Sequence, residues 1–119
     1  MSRILIVEDE FVIAQDLKMT IEGFGHEVCA VITSGEDAVI KSLELRPDLI
    51  LMDIMLEGDM DGIEATEMIK QSLPIPIIYL TAYADTSTLI RAKATQPEAY
   101  LLKPWDEREL DSTSKLALL

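Results

Sequence analysis

Three compact apolar runs punctuate the chain: Ile4-Leu5-Ile6-Val7, Leu49-Ile50-Leu51-Met52, and residues 75–80, which Pro76 interrupts. Two weaker ones are Val28-Cys29-Ala30-Val31 and Ala99-Tyr100-Leu101-Leu102. Short continuous apolar runs fit strands covered on both faces, as in a parallel sheet. Between them, apolar residues recur at about 3.6-residue spacing, the helical period. Ile13, Leu17 and Ile21 share one face of the first such segment, and Ala38, Val39 and Leu43 one face of the second. Residues 62–72 form the third, with Ala65, Met68 and Ile69 expected inward. Residues 89–94 belong to the fourth, and Leu110 and Ala117 to the last.

The helix starts are marked in the sequence. Ser34-x-x-Asp37, Asp61-x-x-Glu64 and Asp106-x-x-Glu109 each have the form of a capping box. Gly23 and Gly25 close the first helix. Pro47, Pro74 and Pro97 each precede a strand, where a helix must already have stopped. Five β-α units result, without repeats, low-complexity tracts or a linker. Such alternation predicts an α/β domain, an open parallel sheet with helices on both faces. Right-handed crossovers leave few topologies, of which the flavodoxin-like (βα)5 order 2-1-3-4-5 is the common one. The chain has 119 residues, enough for one such domain over residues 1–119.

Composition removes several functional classes. Cys29 is the only cysteine and His26 the only histidine, so an internal disulfide, a Cys-rich zinc site and a multi-histidine metal site are excluded. The formal net charge is −12, and Lys and Arg are scattered singly. Direct binding to a phosphate backbone needs a basic stripe, so none is expected. No apolar run approaches the roughly 20 residues of a membrane helix. The opening Met1-Ser2-Arg3-Ile4 lacks the parts of a secretion signal. A cytoplasmic location and no membrane partner are expected.

In open parallel sheets the ligand site lies beyond the carboxyl ends of the strands. The first strand ends Val7-Glu8-Asp9, the third Met52-Asp53, the fourth Leu80-Thr81-Ala82 and the fifth Leu102-Lys103-Pro104. Strands one and three are neighbours in the expected order, which groups Glu8, Asp9 and Asp53. Three carboxylates in one cleft repel one another and stay ionised together only around a cation. An all-oxygen donor set points to Mg²⁺. Lys103 adds a positive charge suited to a phosphoryl oxygen, and Thr81 a hydroxyl donor. Carboxylate nucleophile, metal, ammonium and hydroxyl are the parts of phosphoryl transfer to an aspartate. Singly, each residue has an ordinary explanation: Asp9 or Asp53 as a cap, Glu8 as a loop acid, Thr81 as strand filler, Lys103 as surface charge. Only their joint placement at four strand ends is specific.

Ile4-Leu5-Ile6-Val7-Glu8-Asp9-Glu10, Leu49-Ile50-Leu51-Met52-Asp53-Ile54, Met60-Asp61-Gly62-Ile63-Glu64, Tyr79-Leu80-Thr81-Ala82 and Tyr100-Leu101-Leu102-Lys103-Pro104-Trp105 resemble, in order, the receiver domain of two-component response regulators. The resemblance implies Asp53 as phosphoacceptor, fed by a phosphohistidine of a sensor histidine kinase or a phosphotransfer protein. It implies Mg²⁺ held by Glu8, Asp9, Asp53 and the backbone carbonyl of Met55. Lys103 corresponds to the phosphate-binding lysine, and its bond to Pro104 is cis in the family. Thr81 corresponds to a hydroxyl that moves toward the phosphoryl group, and Tyr100 to an aromatic that turns inward after it. Ala82, Tyr83, Tyr100 and the fourth helix should then respond together. The implied output is a downstream effector reading the surface of the fourth helix, fifth strand and fifth helix, where two copies could also pair. The implied molecule is a signalling domain that catalyses only its own aspartyl phosphorylation and dephosphorylation.

The chain departs from the family in places. Leu56-Glu57-Gly58-Asp59 replaces a segment that usually carries Pro and makes the stretch between Asp53 and Gly62 one residue longer. Pro97-Glu98-Ala99 stands where Gly-Ala is common, and Trp105 where Phe is. An aspartyl-phosphate phosphatase is disfavoured because Met55 occupies the position of its second Asp. A phosphorylation-incompetent receiver is disfavoured because Asp53, Lys103 and the acid pair are all present. A flavin-binding flavodoxin is disfavoured because no phosphate loop follows Val7.

Overall fold

The computed structural model describes residues 2–82 and 85–119; Tyr83, expected to respond with Thr81, lies outside the described residues. Five strands and five helices alternate: β1 (Arg3–Val7), α1 (Phe11–Gly23), β2 (Glu27–Ile32), α2 (Gly35–Leu45), β3 (Leu49–Asp53), α3 (Gly62–Lys70), β4 (Ile77–Thr81), α4 (Thr86–Ala94), β5 (Ala99–Leu102) and α5 (Glu107–Ala117). All strand pairs are parallel, in the order β2-β1-β3-β4-β5. This is the expected flavodoxin-like arrangement.

Alternation of side chains along the strands builds two separate cores. Leu5, Val7, Ile50, Met52, Ile77 and Tyr79 meet Ala38 of α2, Ile63 and Ile69 of α3, and Ala92 of α4. Ile4, Ile6, Leu49, Leu51, Ile78, Leu80 and Leu101 meet Leu17 and Ile21 of α1 and Leu110 of α5. The central strands β3 and β4 are buried at every position, as their unbroken apolar runs require. β4 begins at Ile77 and not at Ile75, because Pro76 has no N–H for the ladder; its carbonyl accepts from the Ile50 amide.

Caps account for most helix boundaries. Asp61 and Glu64 make a reciprocal capping box on α3, while Ser34 caps α2 and Asp106 caps α5 through side-chain oxygens alone. Two inward assignments are corrected. Met68 and Leu43 are exposed, because the buried stripe of α3 runs through Ile63, Ala65, Thr66 and Ile69, and that of α2 through Gly35, Ala38 and Ser42. Both residues lie just beyond the edge of their stripe.

Two glycines bring the β3–α3 segment against the sheet end. A Cβ on Gly62 would collide with the Asp53 carbonyl oxygen, and the Gly62 amide donates to the Ile54 carbonyl at 2.9 Å. A Cβ on Gly35 would stand 2.7 Å from the Met60 carbonyl oxygen. The first contact is backbone on backbone, so no rotamer change relieves it. Gly62→Ala should therefore cost about 3 kcal/mol or more of stability through forced displacement of the chain beside Asp53. Urea unfolding of the variant checks this; a loss under about 1 kcal/mol would mean that the segment repacks freely.

Candidate functional site

The carboxyl ends of β1, β3 and β4, with the residue just past β5, form one rim. Glu8 follows β1 and is fully buried; Asp53 ends β3 with only 3% exposure; Thr81 ends β4 with 1%. Among the described residues, Glu8, Asp9 and Asp53 each offer a carboxylate oxygen within 4.8 Å of the others. Lys103 reaches over them, its Nζ 2.6 Å from Glu8 Oε1 and 3.1 Å from Asp53 Oδ2. Its amide donates to the Thr81 carbonyl at 2.8 Å, which ties the β5 end to the β4 end. The Lys103–Pro104 peptide is cis, as the resemblance implies.

The backbone completes the cluster. The Met55 amide donates to Asp53 Oδ1 at 3.1 Å, so the residue two positions on turns back over the carboxylate. The Glu10 amide donates to Glu8 Oε2 at 3.1 Å. Asp9 does not cap α1: the N-cap is Glu10, which makes no side-chain cap bond. Asp9 Oδ2 instead accepts from the Glu57 amide at 3.1 Å, so the β3–α3 segment is fastened to the rim by one of the three acids. Sequence reasoning missed that contact, because a backbone amide in an irregular loop leaves no pattern. It also missed that Lys103 bridges Glu8 as well as Asp53.

Electrostatics set the two buried acids apart. Burial, a hydrogen bond with Glu8 and the Glu8 charge push the Asp53 carboxyl up to about 7, against the partial relief from Lys103. Burial works the same way on Glu8, but its hydrogen bonds with Asp53, Lys103 and the Glu10 amide outweigh it and hold Glu8 below the ordinary carboxylate range. Burial disfavours the Lys103 charge, yet Glu8 and Asp53 together hold its pKa above the ordinary lysine value. One lysine thus balances one carboxylate, and the second is left without a countercharge. With Asp9 counted, three carboxylates face one ammonium, and an all-oxygen acid cluster left two charges short when ionised fits a hard divalent cation.

Tyr100 lies further back on the same side of the sheet as Thr81. It is 38% exposed, pairs with Tyr79 across β4 and β5, and its ring centroid is 6.0 Å from that of Tyr79. Leu101, on the opposite face, is buried against the other core. Among the described residues no helix is long and apolar enough to cross a membrane.

The family model of the response regulator receiver domain matches residues 4–115. The chain is 37% identical over 108 residues to the DNA-binding response regulator MtrA of Mycolicibacterium paratuberculosis, covering 91% of this chain and 47% of that protein. It is 34% identical over 118 residues to the phyllosphere-induced regulator PhyR of Methylorubrum extorquens, covering 98% of this chain and 43% of that one. The chain therefore spans about half the length of these relatives. Among solved structures, the signal receiver domain of a modulated diguanylate cyclase from Desulfovibrio desulfuricans matches with a TM-score of 0.94 and 37% identity, covering 99% of this chain and 94% of that one.

The raised Asp53 pKa has a measurable consequence. Between the ordinary value of 3.8 and about 7, the unfolded chain has released a proton that the folded chain keeps, so stability falls as pH rises. Asp53→Asn removes this penalty. In a chelating buffer it should raise stability by roughly 1–2 kcal/mol at about pH 8 and by much less at about pH 5. Thermal melts at the two pH values check it, and a variant no more stable than wild type at the higher pH would contradict the repulsion.

Proposed function

We propose that this chain, which belongs to the response regulator receiver domain family, is a phosphorylation-dependent signalling switch that accepts a phosphoryl group on Asp53. The observation that carries the reading is the buried Asp53 carboxylate, with Lys103 bonded to it and to Glu8 on one side and Asp9 beside them. The donor is a phosphohistidine of a sensor histidine kinase or phosphotransfer protein. An Asp53 oxygen forms a bond to phosphorus while the N–P bond breaks. The electron pair leaves on the imidazole nitrogen, which is protonated from solvent. An ionised carboxylate attacks directly and needs no general base.

The remaining groups hold charge. Lys103 Nζ, already on Asp53 Oδ2, moves only slightly to meet a phosphoryl oxygen. The Thr81 hydroxyl donates to another. Glu8, Asp9, Asp53 and the Met55 carbonyl would hold Mg²⁺, which neutralises phosphoryl charge when bound. The same groups serve hydrolysis of the acyl phosphate, so the chain catalyses only reactions of its own side chain.

Thr81 and Tyr100 form the switch. When the Thr81 hydroxyl is drawn to the phosphoryl group, the Tyr100 ring turns into the space beside β4 and changes the surface of α4, β5 and α5. An effector, or a second copy, reads that surface. MtrA is named as DNA-binding; with a net charge of −12, this chain contributes regulation and leaves nucleic-acid contact to an effector.

Incubation with acetyl phosphate and Mg²⁺ should add one phosphoryl group to the intact mass of wild type and none to Asp53→Asn. Labelling that survives in the variant would move the site elsewhere. Millimolar Mg²⁺ should raise the melting temperature of wild type through binding to the folded state, and Asp9→Asn should remove most of that rise. A wild-type melting temperature indifferent to Mg²⁺ would contradict the metal site.

A further inference from the structure

α4 is held to the rest of the domain in an unusual way. Its only buried residue is Ala92, and Leu89 and Ile90 are exposed. α1 grips the sheet through Leu17 and Ile21 and α3 through Ile63 and Ile69, whereas α4, like α2 with Ala38, buries a single apolar side chain. Polar contacts at its C-terminal end replace that grip. Thr95, the C-cap, donates from its hydroxyl to the Ala92 carbonyl at 2.6 Å. The hydroxyls of Thr95 and Tyr79 are 2.7 Å apart. Since the single Thr95 hydroxyl proton points to Ala92, the Tyr79 hydroxyl is the donor in this second bond. Lys70 of α3 closes the arrangement, its Nζ 2.9 Å from the Thr95 carbonyl and 2.8 Å from that of Gln96.

Tyr79 is the only one of these groups that lies on the sheet. Its side chain is fully buried, at the centre of the core under α3 and α4. One end, the hydroxyl, holds the α4 cap. The ring lies against Tyr100, 6.0 Å between centroids and tilted by 31°. Tyr79 thus touches both the aromatic of β5 and the end of α4, and it is two residues from Thr81 on the same face of β4. A close-packed interior does not let one ring move while its neighbour stays untouched. Any change of the Tyr100 ring bears on the Tyr79 ring and so on its hydroxyl, which meets Thr95 and also hydrogen-bonds with Thr66 of α3.

We propose that Tyr79 is a positioning residue of the switch, carrying the state of the Tyr100 ring to the C-terminal end of α4 through its hydroxyl bond to Thr95. The inference rests on the switch reading above and adds a second output to it. α4 is then moved from its C-cap as well as from the Thr81 side. The sequence carries a signal for this, an aromatic within an otherwise aliphatic buried strand, Ile77-Ile78-Tyr79-Leu80.

The test is solution NMR of the whole chain with Mg²⁺, with and without beryllofluoride as the phosphoryl mimic. Wild type should show amide shifts at Thr81, Tyr100 and Lys103, and also at Ala92, Lys93, Thr95 and Gln96. Tyr79→Phe keeps the ring and deletes only the donor. It should cut the shifts at the α4 end by about half or more while leaving those at Thr81 and Lys103 intact. Thr95→Ala removes the same bond from the other side and should act alike, whereas Thr95→Ser should behave as wild type. A merely structural role would alter the resting spectrum but not the size of the response. Full-size responses at the α4 end in Tyr79→Phe would overturn the inference and leave the switch standing. So would a wild-type response that reaches Tyr100 but not Thr95. Saturation judged at Lys103 without any shift at Thr81 or Tyr100 would overturn both.

Discussion

Two buried carboxylates share one ammonium at the end of this sheet, and much of the local structure follows from that imbalance. Glu8 has no exposure and Asp53 almost none. Water cannot stabilise either charge, so each needs a partner inside the protein. Lys103 bonds to both, and the stronger contact, 2.6 Å, goes to Glu8. Asp53 is left as the acid with the raised pKa. A buried acid in this position persists only because the fold keeps it from relaxing toward solvent.

The fold does so with backbone and not with more charge. β3 is covered on both faces, which fixes the direction in which Asp53 leaves the sheet. The Met55 amide then holds one carboxylate oxygen and Lys103 the other. Gly62 lets the start of α3 come up against the Asp53 carbonyl, and Gly35 lets Met60 come down on α2. The segment between Asp53 and Gly62 passes outside this fixed geometry at Glu57, whose amide Asp9 fastens. An acid of the cluster therefore also serves as a hook for the loop. Any cation that takes up Asp9 Oδ2 competes with that hook, which couples the site to the conformation of the segment around Glu57.

The strand order, the two-sided sheet and the membership of the acid cluster were all legible in the sequence. The reason is physical: unbroken apolar runs such as residues 49–52 can be satisfied only in a doubly covered sheet, and such a sheet delivers its strand ends to one rim. The inward faces of α2 and α3 were less legible. Met68 and Leu43 sit one position off the buried stripe, and a helical period does not say where a stripe's edge falls. Partnerships within the site were not legible. Nothing in spacing tells that Lys103 would choose Glu8 first, or that Asp9 would turn to the Glu57 amide and not to α1. These depend on side-chain reach and loop path, which periodicity does not encode. Tyr79 shows the same limit. Its place in a strand was clear, but its hydroxyl partner lies sixteen residues on, beyond a helix.

The two faces of the sheet differ in how their helices are held. On one face, α1 and α5 bury Leu17, Ile21 and Leu110 against aliphatic strand residues. Such packing resists small displacements, because each one opens a void. On the other face α4 contributes one alanine to the core and is secured by hydroxyls, a lysine and the exposed Arg91–Asp61 ion pair of 3.1 Å. The Lys70 bonds to the Thr95 and Gln96 carbonyls, partly open to water, can be exchanged for others or for water at a net cost of about 1 kcal/mol each. An exposed ion pair costs less still. Moving α4 is therefore cheap where moving α1 or α5 is not. On the proposed switch, a small electrostatic event at Asp53 would be read on the α4 side, where the holding forces are of its own size.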